Sequence, residues 1–134
     1  MKSRFAVLGA AVMLLLVTVP VLAHHSFAAE YDRDKPIEFK GVVTKVQWMN
    51  PHVWFFVDVK DANGNVVHWD CEAGNPNMLA RSGWKKDSLK AGDEISVEGS
   101  RAKDGSFTMN ARSIKLSDGR KVFAGSAEDV APRD

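Results

Sequence analysis

The chain has 134 residues, with 18 Lys and Arg against 17 Asp and Glu, 45% apolar side chains and a single cysteine. The near-neutral balance argues against nucleic-acid binding driven by phosphate neutralisation, which needs a basic face, and one cysteine excludes an intrachain disulfide. The totals conceal an asymmetry, because residues 1–23 hold Lys2, Arg4, no acid and an otherwise mostly apolar run; without them, 111 residues remain with 16 basic and 17 acidic side chains. A chain of that size makes one modest domain.

Residues 1–23 have the layout of a secretory signal peptide. Lys2 and Arg4 form the positive start, Phe5 to Val19 the apolar stretch, Pro20 a helix break, and Val21-Leu22-Ala23 the cleavage site. The same length of apolar chain also suits an uncleaved anchor, since about 20 residues cross a bilayer. Cleavage after Ala23 is the expectation, which sends the mature chain to a periplasm with no membrane anchor. Residues 24–36 read as a polar N-terminal arm without sustained period, residues 37–124 as the folded domain and residues 125–134 as a flexible tail.

Within the domain the apolar period is two. Ile37 to Met49 forms a long strand with Ile37, Phe39, Gly41 and Val43 on one face, and Gly41 predicts a bulge or sharp bend. Val53 to Lys60 alternates as a second strand, Asp61 to Asn65 is a hairpin turn with Gly64 able to take positive φ, and Val66 to Ala73 is a third strand. The period then changes. Asn75 is a plausible N-cap, Pro76 suits the first helical position, and Gly83 ends a short helix. Glu94 to Arg101 and Phe107 to Leu116 follow as strands; in the latter the apolar phase slips after Ala111, which implies a bulge. Lys121 to Phe123 is a short extra strand. Three strands, a helix and two strands is the order of the OB-fold, so an all-β, OB-like five-stranded barrel with one short helix is predicted. An open meander with a helix on one face is the alternative.

Four histidines fall outside the leader. Cleavage after Ala23 would make His24 the amino terminus, where its α-amine and ring nitrogen chelate one metal and a second imidazole, from His52, His68 or His25, completes a three-nitrogen site. That donor set suits copper(II). A second candidate site is the Trp48-Met49-Asn50-Pro51-His52-Val53-Trp54 loop, which in an OB-like fold frames the binding face, with Trp48, Asn50, His52, Trp54 and Trp69 as ligand contacts. The plain alternatives are that the tryptophans are core and His24 and His25 a solvated chain start. His68, Asp70 and Glu72 alternate along one face of the third strand, as on any half-exposed strand. Cys71, in the same strand, reads as a buried thiol. No nucleophile elbow, phosphate loop or paired-Cys knuckle occurs, so no enzyme activity is expected.

Six segments together, His24-His25-Ser26-Phe27-Ala28-Ala29-Glu30, Gly41 to Val46, Asn50-Pro51-His52-Val53-Trp54, Gly83-Trp84, Leu89 to Asp93 and Asp118 to Phe123, resemble a family of uncharacterised exported proteins of Gram-negative bacteria, a domain of unknown function. The resemblance implies a periplasmic location and an OB-like module, and carries no activity or catalytic residue. The expectation is a non-enzymatic binding module for an unknown small ligand. The alternatives are copper binding or trafficking through His24, His25 and His52, and a structural adaptor to an envelope protein.

Overall fold

The computed structural model describes residues 27–125. The elements run α1 (Phe27–Glu30), β1 (Tyr31–Gln47), β2 (Trp54–Lys60), β3 (Val66–Glu72), α2 (Pro76–Arg81), β4 (Glu94–Ala102), β5 (Thr108–Leu116) and β6 (Lys121–Phe123). The strands form one sheet in the order β3-β2-β1-β4-β5-β6, and a further pairing of β3 with β5 closes the first five into a ring. All the pairings are antiparallel except β3–β5, which is parallel and holds through Asp70, Cys71 and Glu72 against Thr108, Met109 and Asn110. Strand order and helix position agree with the sequence-based expectation. Closing the ring shortens the exposed edges that an open sheet would present.

Local chemistry explains most of the elements. The Asp61 carboxylate accepts from the backbone amides of Asn63 and Asn65 (2.8 and 2.9 Å), while Gly64 takes φ 84° and closes the β2–β3 hairpin. Asn75 Oδ1 accepts from the Met78 amide at 2.8 Å, so it caps α2 ahead of Pro76, and Gly83 leaves the helix at φ 94°. The apolar slip in β5 is a bulge: Glu98 faces Ser113 and Gly99 faces Ala111, which leaves Arg112 as the extra residue.

Two expectations are corrected. The long strand begins at Tyr31, six residues before Ile37, because Tyr31 pairs with Ala102 and Pro36 with Ser100 of β4. Half of the N-terminal arm is thus strand, and periodicity missed it because the segment makes few ladder contacts. The irregularity in the β1–β2 pairing lies between Val43 and Lys45 rather than at Gly41. Gly41 serves a different end: a Cβ there would meet the Asp58 carbonyl oxygen at 2.4 Å and Val57 Cγ1 at 2.6 Å, so β2 passes too close for any side chain.

The core lies inside the ring. Val43, Phe55, Val57, Cys71, Val97, Met109 and Ile114 fill it, and Leu79 of α2 packs among them. Trp84, beyond α2, is buried and donates from Nε1 to the Phe123 carbonyl at 2.9 Å, tying β6 to the helix end. The Cys71 thiol is fully buried, and burial, with the Asp70 charge adding to it, pushes its pKa far above the ordinary 9.0.

Candidate functional site

Glu72 ends β3. Its neighbours across the sheet are Trp54 at the start of β2 and Asn110 near the start of β5, and Asn110 in turn faces Ser100 of β4. Side chains alternate along a strand. Phe55, Val57 and Cys71 therefore point into the core, and Trp54 and Glu72 point to the outer face. An outer-face carboxylate would ordinarily be solvated, yet Glu72 is 7% exposed. What covers it is the N-terminal segment. The Tyr31 hydroxyl donates to Glu72 Oε2, and Tyr31 is itself buried with the Phe27 ring 5.6 Å away. Lys103 holds this cover in place, its amide on the Glu30 carbonyl at 2.8 Å and its Nζ on the Ala28 carbonyl at 2.6 Å.

The other carboxylate oxygen, Oε1, contacts His52 Nδ1. His52 follows the cis Asn50–Pro51 bond, and the loop returns to the sheet at once, with the Val53 amide on the Gly74 carbonyl at 3.0 Å and the Ala73 amide on the Val53 carbonyl at 2.8 Å. A carboxylate accepts, so in the pairing of Glu72 as acceptor with His52 as donor the proton is on Nδ1, and Nε2 keeps a lone pair whenever the ring is neutral. The His52 side chain is 37% exposed while Glu72 is buried, so the imidazole bridges a buried carboxylate and the surface. This order, carboxylate behind imidazole with the distal nitrogen free, is how proteins orient a metal-ligating histidine.

The polar row behind Glu72 has unmet capacity. Ser100 Oγ and Asn110 Oδ1 are both buried and find no hydrogen-bond partner among the described residues. Tyr31 shows the electrostatic consequence of the enclosure: burial, the hydrogen bond to Glu72 and the Glu72 charge all raise its phenol far above the ordinary 10.0. A pKa raised on folding means that stability is fully present below pH 10 and lost as the pH climbs through and beyond it. Urea unfolding between pH 8 and 11 should therefore show stability falling at the alkaline end, and Tyr31→Phe should flatten part of that fall, leaving the share due to Cys71. An identical alkaline slope in Tyr31→Phe would mean that the phenol is not held as described.

The predicted ligand contacts divide. His52 and Trp54 belong together, Trp54 lying directly across from Glu72, and Asn50 is exposed on the same loop. Trp48 packs against the core instead. Trp69 pairs with Val57 and lies on the inner face, its ring 4.7 Å from Phe39 and 5.4 Å from Phe107 with the Arg101 guanidinium 5.6 Å away, so it does not join the His52 loop. His24 and His25 lie outside the described residues. His68, Asp70 and Glu72 do share a face, but His68 pairs with Asp58 at 2.5 Å while Glu72 turns to His52 and Tyr31. Among the described residues no group of three or more His, Cys, Asp or Glu converges as a metal cluster. Sequence reasoning missed Tyr31, which sits in a segment without period. It noted Glu72 only as one of three alternating polar residues.

An OB-like strand order with a buried carboxylate behind a loop histidine describes a class of small β-rich module. The chain belongs to the family of unknown function DUF6152, whose model matches residues 11–111. No curated protein matches it.

Proposed function

We propose that this chain is a non-enzymatic, exported binding module whose ligand is copper(II), held by His52 Nε2 together with the α-amine and ring of His24 once the leader is removed after Ala23. The observation that carries the reading is the Glu72 carboxylate on His52 Nδ1. A carboxylate on Nδ1 leaves Nε2 as the available ring nitrogen and makes it a better donor. The tether between His24 and the cover of Glu72 is short. His24 lies three residues before Phe27, about 11 Å of extended chain at most, and Phe27 rests on Tyr31, which hydrogen-bonds the same carboxylate. An amine and two imidazoles favour copper(II) over the other divalent first-row metals. The amine titrates at about 7.7–8, so copper displaces its proton readily at neutral pH.

The test uses protein exported from cells with its own leader, its start verified by intact mass. Titration should give one copper(II) per chain. His52→Ala, or one extra residue placed before His24, should each weaken binding by about tenfold or more, with circular dichroism unchanged. Affinity no greater than that of a free His-His peptide, or unchanged in both variants, would overturn the reading.

A further inference from the structure

At the other end of the same strands the sheet forms a second feature that the copper reading leaves unused. An open trough of about 760 Å³ runs across β1 at residues 40–42, between the tip of the β2–β3 hairpin, the start of β4 and the end of β5. Along β2 it begins at Asp58 and includes Lys60, which is six residues or about 20 Å from Trp54. Gly41 lies in its lining, and the close β1–β2 approach that Gly41 permits helps to shape it.

The lining has two chemistries. Its apolar part is Val42, Val66, Ile95 and Leu116, with Val42 40% and Val66 49% exposed. Its charged part is led by Lys40, Lys60 and Lys115, carried by three different strands. None of the three makes an ion pair or hydrogen bond among the described residues. Two acids also line the trough, Glu94 and Asp58, the latter in contact with His68 at 2.5 Å, so three lysines face two carboxylates and the lining stays formally positive by one. Three unpaired ammonium groups beside an apolar floor complement a molecule with an anionic head and an apolar body. The volume is that of a small-molecule site.

We propose that this trough binds a small anionic amphiphile, a carboxylate with an unbranched apolar chain, with the head among Lys40, Lys60 and Lys115 and the chain along Val42, Val66 and Leu116. An acidic peptide would leave the apolar groups uncovered. The site is independent of the copper reading, because it shares no residue with His52, Glu72 or Tyr31.

Dodecanoate, kept below its micelle concentration, is the probe, with dodecyltrimethylammonium as the charge-inverted control. Calorimetry should give one dodecanoate per chain. The triple variant Lys40→Gln, Lys60→Gln, Lys115→Gln should weaken it about tenfold, since each exposed charge contributes modestly, and Val42→Ser with Val66→Ser should weaken it as well. His52→Ala should leave it unchanged, which separates failure here from failure of the copper site. Amide shifts on binding should cluster at residues 40–42, 58–60, 94–96 and 115–117. Equal binding of the ammonium control, no effect of the lysine variant, shifts around residue 52 instead, or binding of a short Asp- and Glu-rich peptide but not dodecanoate would overturn the assignment.

Discussion

Gly99→Ala should destabilise the fold by about 3 kcal/mol, the upper end of what an overpacked methyl costs. At roughly 4–8 °C per kcal/mol for a domain of this size, that is a fall of at least about 12 °C in melting temperature. The reason is position rather than propensity. A Cβ on Gly99 would sit 2.0 Å from the Asn110 carbonyl oxygen, 2.9 Å from its carbonyl carbon and 2.6 Å from Met109 Cε. A flexible methionine end can move, whereas a paired backbone cannot without opening the β4–β5 ladder. Gly99 lies at the bulge where Glu98 faces Ser113 and Gly99 faces Ala111, and Asn110 is the residue that pairs with Glu72 on its other side. The same variant should therefore disturb the His52 site. Thermal melting checks the first effect, and a loss below about 1 kcal/mol would mean that the two strands do not approach as closely as described.

Glu72→Gln should lower copper(II) affinity by about 10- to 100-fold while leaving the fold intact, the range found when the carboxylate behind a ligating histidine is altered. Glutamine has nearly the same shape, so Phe27 and Tyr31 keep their packing. What changes is the charge and the donor pattern. Glu72 accepts from Tyr31 on one oxygen and from His52 on the other; a glutamine has one acceptor oxygen and an NH₂ group, so one of the two donors loses its acceptor. The variant keeps every proposed metal ligand, and a loss of affinity is therefore a loss through orientation and basicity of His52. A titration indistinguishable from that of the unaltered protein would separate Glu72 from metal binding. It would then stand as a buried structural acceptor for Tyr31.

Much of the fold was legible because its determinants are local. Asp61 to Asn65 reads as a turn from residue types alone, Asn75-Pro76 and Gly83 bracket α2, and the slip from Ala111 to Ile114 marks the Arg112 bulge. The burial of Cys71 follows from its place in an alternating strand. The ring closure was inferred only from element order, since the β3–β5 pairing rests on three residue pairs about 40 positions apart in sequence with no local signature. The candidate site was half legible. His52 stood out by its loop and Trp54 by its neighbour, but the contact that gives His52 its chemistry spans 20 residues, and the one that buries Glu72 spans 41. The second arises because α1 and the start of β1 fold over the outer face of β3, and a segment with no apolar period of its own gives no sign of where it will lie. Trp69 illustrates the converse. Alternation alone assigns it to the face of Cys71 rather than that of Glu72, and that is where it packs.

The most direct test of the copper reading is electron paramagnetic resonance of the one-to-one copper(II) complex of exported protein, its amino terminus established by mass. The account expects a single species with three nitrogen ligands, one of them an imidazole whose remote-nitrogen signal disappears in His52→Ala. A spectrum that is the same with and without His52, or one that matches copper on a free His-His peptide, would contradict it.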